Sequence, residues 1–474
     1  MLQTFKNAWR TPELKTRLLY VLLVLFLYRI GTVIPVPFVD ASSFADNFGD
    51  TIFAYLNLLS GGALSAATLF ALGISPYITA SIVIQLLSVA IPALGRKVQD
   101  GEAGKAFNEK LTRIVTVVLS IITGYGYYVL LKSNNMLTAT ATSGSTGEKV
   151  LVGIVIVTCY VAGASLIMWL GEKINEKGIG NGISLILFAN IISSLPSLVY
   201  NLVAVILDTG FNGKATGWGK FGYIMGGFGF AIGILAFLLG LVLFVIWITG
   251  SERRIPIQYA KRVVGRKMYG GQSSTLPIKL NMSGVMPVIF ASSIISLPAT
   301  IMAMCGVKSV DALEKGTEPN FWNKFYDFMA ADGWFYPIVF AVLIVAFSYF
   351  YITISFNPVE VANNLKKNGG LIPGIRQGRP TSDYIKRILN KVTLMGAMFL
   401  AIIAILPMIA SPLVITPILN GLYANSPAGT AYVSSLASSF TFGGTSILIV
   451  IGVVQETFRE LEAQLTMRNY RGFL

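Results

Sequence analysis

The sequence predicts an all-α polytopic membrane protein of ten transmembrane helices, and three observations carry that prediction. The chain has 474 residues, 54% hydrophobic and only 12% charged, with a mean hydropathy of +0.68, too apolar for a large soluble protein. Ten apolar runs are long enough to cross a bilayer, which takes about 20 residues of helix. Assigning alternate connections to opposite sides then puts 28 of the 36 lysines and arginines on one face and 7 on the other, with Arg29 inside the first run. The basic face holds 12 acids and the other face 10. Because the Lys/Arg excess marks the cytoplasmic side, the basic face is cytoplasmic, and an even number of crossings puts both termini there.

The N-terminal stretch MLQTFKNAWRTPELKTR is basic and leads into the first run, Leu18 to Ile34, without a small-residue cleavage site, so it reads as retained. Arg29 lies near the external end of that run, where it can snorkel or bond loop carbonyls. The connection that follows, PVPFVDASSFADNFGDTI, holds three aspartates and no cation. Next comes Asn57 to Leu94, whose apolar part, Ala63 to Leu94, is 32 residues long, too long for one straight span. Pro76 removes a backbone donor and clashes with the preceding turn, and Gly73 lies beside it, so the expected form is a short half-helix, a break and a full span. A break at membrane depth is tolerated only where protein shields it or a wet cavity meets it. This stretch is therefore the candidate wall and stopper of a pore. On its span, taken as Ala71 to Leu94, Ile74, Ile78, Ser81, Gln85 and Ser88 fall at spacings of three and four. They share one face that turns from aliphatic to polar.

Further runs lie at Ile114 to Leu131, Val150 to Leu170, Ile183 to Leu207, Tyr223 to Ile248, Val285 to Met304, Phe335 to Ile354, Val392 to Ile409 and roughly Tyr432 to Val454. Glycine and serine at Ser143 to Gly147, and glycine at Gly210 to Gly222, mark flexible external loops. The second of these divides the chain into halves of five spans, 1–207 and 208–474, and an odd number of crossings in each makes an inverted repeat by counting. In the seventh run Ser292, Ser293 and Ser296 form a second small polar stripe. Two long cytoplasmic connections, 251–284 and 356–391, carry seven cations each. Their aromatic, proline and glycine punctuation reads as folded, and such a basic surface would attract RNA phosphate or an acidic partner.

Composition also excludes functions. The chain has no histidine, which removes the commonest general base and metal ligand, and it contains neither a Walker-type nor a CxxC motif. Cys159 and Cys305 lie in or beside apolar runs and read as packing residues. No run contains Asp or Glu, whereas an ion-coupled transporter usually keeps a carboxylate within the membrane. A small-solute transporter and a membrane-embedded enzyme are thus the weaker readings. The glycosylation-like triplet Asn281, Met282, Ser283 falls on the cytoplasmic side and reads as coincidence.

Five segments carry a resemblance: LSGGALSAATLFALGISPYITASIVIQLL, MWLGEKINEKGIGNGISLILFANI, AKRVVGRKMYGGQSSTLPIKLNMSGVMPVIFASSIISLPATI, FNPVEVANNLKKNGGLIPGIRQGRPTSDYI and TFGGTSILIVIGVV. With these the chain resembles the SecY/Sec61-alpha family, the channel-forming subunits of the Sec protein translocon, over nearly its whole length. The resemblance implies a clamshell of two pseudo-symmetric halves that passes unfolded preproteins across the bacterial cytoplasmic membrane and releases membrane segments sideways into lipid. It implies no catalytic residues, cofactor or metal.

It further implies a plug at about 57–72, comprising Gly61, Gly62, Ala63, Leu64, Ser65, Ala66, Ala67, Thr68, Leu69 and Phe70. The implied pore ring is Ile74, Ile78, Ile183, Leu187, Ile289 and Ile449. Ser81, Gln85, Ser88, Ser292, Ser293 and Ser296 would line a lateral gate, and Arg253, Arg254, Lys261, Arg262, Arg266, Lys267, Arg376 and Arg379 would dock the SecA motor ATPase or the ribosome with its RNA. The other implied partners are SecE, SecG, signal-peptide-bearing preproteins, membrane lipids, YidC and SecDF. Two positions depart from the family pattern. Gln377 stands where proline is common, which implies a less rigid loop tip, and Ala66 stands where some relatives carry arginine, which leaves the plug no polar anchor there.

Overall fold

The computed structural model describes residues 2–40, 57, 60–98, 100–133, 136–138, 145–211, 218–259, 262–264, 267–269, 273–305, 307, 320–328, 335–417 and 443–471. Each of the ten apolar runs overlaps a helix among the described residues, although 71–74 of the second run are turns. A short amphipathic helix α1 (Leu2–Arg10) precedes α2 (Pro12–Gly31), which carries the first run. The second lies on α3 (Ser75–Ala90), bent by 113° at Ile91 into α4 (Pro92–Val98). Pro92 cannot donate to a continuing helix and disfavours helical geometry at the residue before it, so Ile91 is extended and the helix stops before the expected Leu94. The next three runs lie on α5 (Gly101–Ser133), α6 (Thr146–Lys177) and α7 (Gly182–Phe211). The remaining five lie on α8 (Trp218–Gly250), α9 (Met286–Met304), α11 (Phe335–Ser355), α13 (Arg379–Ala410) and α14 (Gly443–Arg471). The part of the last run before Gly443 lies outside the described residues. A short helix α10 (Phe321–Phe328) precedes α11, and α12 (Pro358–Lys367) follows it. Five helices are long and apolar enough on their own to cross a bilayer, or six with the bent pair, among the described residues.

Both expected flexible loops shrink. Ser145 and Glu148 form a capping box that starts α6 at Thr146, which puts Gly147 inside a helix. Likewise α7 runs to Phe211 and α8 begins at Trp218, leaving 212–217 outside the described residues.

The two sets of five helices pack in the same order. In the first set α3 lies on α5, α5 on α6, and α6 and α7 on α2 and on each other. In the second, α9 lies on α11, α11 on α13, and α13 and α14 on α8 and on each other. Replacing each helix by the one five runs later converts one set of pairings into the other. The sets meet on two sides: α7 packs on α8 and α14, while α9 packs on α3 and α5. Exposed apolar side chains such as Leu22, Phe26, Ile122, Ile154, Leu243 and Val342 face outward, as a lipid-facing surface requires.

The two basic connections fold together, which the all-α expectation did not include. Strand β1 (Glu252–Tyr259) pairs antiparallel with β4 (Ser273–Lys279), Glu252 opposite Lys279, and its far end pairs with β5 (Gly370–Leu371) from the other connection. Between them β2 (Arg262–Val264) and β3 (Lys267–Tyr269) form a hairpin. Ile255, Ile257 and Ile278 from the sheet pack with Ile352, Leu365, Ile385 and Leu389 from α11, α12 and α13. Ala8, Leu14, Ile179 and Leu461 make a separate small cluster joining α1, α2 and the α6–α7 turn to the C-terminal part of α14.

Candidate functional site

Residues 61–74 form a succession of turns rather than the expected half-helix. Gly61, Gly62, Ala67 and Gly73 all take positive φ, and a right-handed helix cannot run through four such positions. Side chains within and just before the segment hold it. Asn57 Oδ1 accepts from the Ser65 amide at 2.9 Å, the Leu64 amide donates to Ser60 Oγ, and the Thr68 hydroxyl donates to the Ala63 carbonyl.

Its anchors come from neighbouring helices. Arg29 Nη1 donates to the Gly61 carbonyl at 3.4 Å, the loop-carbonyl role open to it from sequence. The Tyr127 hydroxyl of α5 donates to the Leu64 carbonyl at 2.7 Å. Leu69 and Val36 amides exchange backbone bonds with Ile34 and Ala67 carbonyls, and Phe70 stacks on Tyr28 at 5.4 Å. Gly163 of α6 lies so close to the Leu69 carbonyl that no side chain fits there. Ala66 is exposed and contributes only its amide, which donates to the Gly62 carbonyl at 3.3 Å. The polar anchorage it lacks is supplied by Arg29 and Tyr127.

Of the ring candidates, Ile74, Ile78, Leu187, Ile289 and Ile449 are each at most 3% exposed. All five belong to one apolar cluster, on which half-buried Ile183 packs. A cavity of about 90 Å³ opens where the turn segment meets α3, α5, α7 and α9. Its walls include Leu64 and Ala71 of the turn segment, Ile74, Ile78 and Leu187 of the ring set, and Ser293 and Ser296 of the gate set. Ile183, Ile289 and Ile449 do not line it.

The two polar stripes lie on helices that pack together, α3 and α9. Each spends its hydroxyls on its own helix. Gln85 Nε2 donates to Ser81 Oγ, Ser88 to the Gln85 carbonyl, Ser292 and Ser293 to Ile289, and Ser296 to Ser293. Parting these helices would therefore break none of those bonds.

Several lining residues escaped sequence reasoning, chiefly Tyr127, Thr123 and Leu119 on α5. The signal was present: Thr112, Thr116, Ser120, Gly124 and Tyr127 recur at spacings of four and three, and all are buried. A Tyr127→Phe substitution leaves the Leu64 carbonyl with the Ala67 amide as its remaining donor, a loss of about 0.5–1.5 kcal/mol. Its expected result is faster alkylation of a cysteine placed at Leu64.

Arg253 and Arg254 are exposed on β1, with Arg254 paired to Glu252 at 2.7 Å. Arg376 and Arg379 are exposed around the turn that enters α13. Contrary to the expected looseness there, Gln377 Nε2 donates to the Gly370 carbonyl at 3.2 Å and ties the tip to β5. Arg262 and Lys267 lie on the β2–β3 hairpin, whereas Lys261 and Arg266 lie outside the described residues. Cys159 packs against the apolar core as expected, but Cys305 is exposed at the end of α9 and has no packing role. Asn281 is buried and accepts from Ser283, an interior bond in place of a modification site.

Comparison with known proteins matches residues 68–458 to the SecY family model. The chain is 40% identical over 481 residues to a protein translocase subunit SecY of Streptomyces galbus, covering all of both proteins. It is 38% identical to the SecY of Corynebacterium glutamicum, covering 100% of this chain and 99% of that protein. Among solved structures it resembles a protein-conducting channel with a TM-score of 0.57 at 17% identity, covering 95% of this chain and 92% of that one. A Sec61 from a canine ribosome-channel complex gives a TM-score of 0.53 at 16% identity, with the same coverage. Those two likenesses show the fold, and full-length identity at the level of the Streptomyces relative shows more: this multi-pass membrane protein belongs to the SecY family of protein translocase subunits.

Proposed function

We propose that the chain is the pore-forming subunit through which unfolded preproteins cross, and membrane segments leave, the bacterial cytoplasmic membrane, with both its termini in the cytoplasm. The observation that carries this reading is the cavity between the turn segment, α3, α5, α7 and α9. There a removable stopper, an aliphatic waist and a seam between helix sets adjoin one another. Residues 1–207 and 208–474 act as two rigid halves hinged where α7 packs on α8, with the seam between α3 and α9 as the exit to lipid. Ile74, Ile78, Ile183, Leu187, Ile289 and Ile449 form a gasket that excludes ions by dewetting and reads no sequence. Residues 57–72 close it from outside.

The chain has no ATP-binding motif of its own, so the driving force comes from a partner. The basic cytoplasmic surface takes either the SecA motor or ribosomal RNA, the latter by analogy with the Sec61 relative in its ribosome complex. SecE braces the two halves. SecG, YidC and SecDF complete the partner set implied by family membership.

The test is a preprotein stalled in transit through reconstituted channels that carry a photo-crosslinking residue at Ile289 or, as a lipid-facing control, at Leu243. Adducts from Ile289 alone are expected. Adducts from both positions, or from Leu243 only, would place the polypeptide path elsewhere.

A further inference from the structure

A second cavity, about 180 Å³, shares no lining residue with the first and is walled by the C-terminal ends of α8 and α11, the 281–286 turn, α13 and α14. Its depth is set by sequence. Thr249 is the penultimate residue of α8, and Gln455, Glu456 and Arg459 follow directly on the last apolar run, so the cavity sits at the level of the cytoplasmic head groups.

One end lacks a donor. Gln455 is only 8% exposed, it lines the cavity, and its Oε1 accepts no hydrogen bond. An unsatisfied buried acceptor costs about 1–3 kcal/mol unless a bound group supplies the proton. Glu456 lines the same wall, and its carboxyl is pushed above the ordinary pKa, first by desolvation and then by the Glu460 charge. A bound cation would relieve both effects.

The other end is cationic, with Arg459 on its wall and Lys279 nearby. Arg459 spends one nitrogen on the Thr249 carbonyl at 3.1 Å. Its charge, after burial, holds the nearby Lys279 ammonium below its usual pKa, the mark of two cations facing each other. The space far exceeds the 10–15 Å³ or so that one water needs.

We propose that this cavity binds a zwitterion of the phosphoethanolamine type, its primary ammonium donating to Gln455 Oε1 and the Glu456 carboxylate and its phosphate meeting Arg459. Either an ethanolamine phospholipid or a soluble phosphoethanolamine carries that chemistry. A choline head group has the same charges but no N–H to donate, which makes it the discriminating control.

The purified channel complex, delipidated and offered equal amounts of phosphatidylethanolamine and phosphatidylcholine, is read by native mass spectrometry. About tenfold preferential retention of the ethanolamine lipid is expected, the weight of one hydrogen bond to a charged group. Gln455→Leu and Glu456→Gln should each bring the ratio near one while phosphatidylcholine binding and the melting temperature stay unchanged. Displacement of the lipid by soluble phosphoethanolamine, but not by phosphocholine, shows that the head group suffices. Resistance to both assigns the site to the lipid alone. Equal retention of the two lipids by the unaltered protein, or a preference that survives both substitutions, overturns the proposal. If Gln455→Leu does not fold, Glu456→Gln carries the same decision.

Discussion

Replacing Ile78 and Ile289 together by glycine is expected to raise the resting ion conductance of reconstituted channels by about tenfold or more, the largest effect a two-residue change should have on the seal. Both side chains are 3% exposed, on α3 and α9, helices from different halves that meet in one apolar cluster. A waist lined by branched aliphatics holds no water column because nothing there replaces water's hydrogen bonds. In the proposed ring, removing two of six side chains widens and exposes the waist at once, and water with its ions follows. Glycine also weakens the helices, by about 1 kcal/mol at each position, and deletes core packing besides.

A control separates the seal from the fold. Ile84 and Ile295 lie on the same two helices, six residues on and so about 9 Å further along each axis, and both are buried. Their glycine pair should lower the melting temperature comparably and leave resting conductance near that of the unaltered protein. Equal leakage from the two pairs would mean that the bundle is loosened generally and that no ring exists at Ile78 and Ile289. A small-solute transporter makes a different prediction, because its conductance would depend on a coupling ion that no carboxylate in these runs could bind.

The helices were legible because a bilayer demands about 20 apolar residues in a row, and composition alone reveals such runs. Their pairing was not, since an apolar side chain facing lipid and one facing a neighbour obey the same rule: Ile82 is buried, Ile122 exposed. For the same reason the ring could be chosen only through the resemblance. Ile78 and Ile82 are equivalent in pattern, and both are buried in one cluster. The turn segment at 61–74, the proposed plug, was legible as a break but not in form, because Ala67 takes a left-handed conformation with no glycine to signal it. The small sheet was missed although a period of two was present, with Ile255 and Ile257 buried between exposed Arg254, Pro256 and Gln258. Its proline and its run of cations pointed to a folded loop, and β5 lies more than a hundred residues away in sequence.

The second large effect concerns that sheet. Reversing Arg376 and Arg379 to glutamate is expected to lower SecA-driven translocation by about tenfold at low ionic strength, through weaker capture of an acidic partner surface. Both arginines are exposed and sit on a turn whose shape is fixed from several sides. The Thr381 hydroxyl donates to the Arg376 carbonyl at 2.8 Å, Gln377 is tied to Gly370, and Gly374 and Gly378 take φ of 81° and 96° that other residues adopt only under strain. The turn rests on Ile372, Ile385 and Leu389, which are buried with the sheet residues. Charges presented on so firm a base lose little entropy when a partner binds. The reversal should therefore act on affinity, leaving folding and resting conductance intact. Because the Debye length shrinks to about 8 Å at physiological salt, the deficit should narrow as salt is raised. Gln377→Ala keeps every charge and frees the tip, so it should reproduce part of the defect without the salt dependence. A double reversal that translocates normally at every ionic strength would remove this turn from the docking surface and leave β1, with Arg253 and Arg254, to carry it.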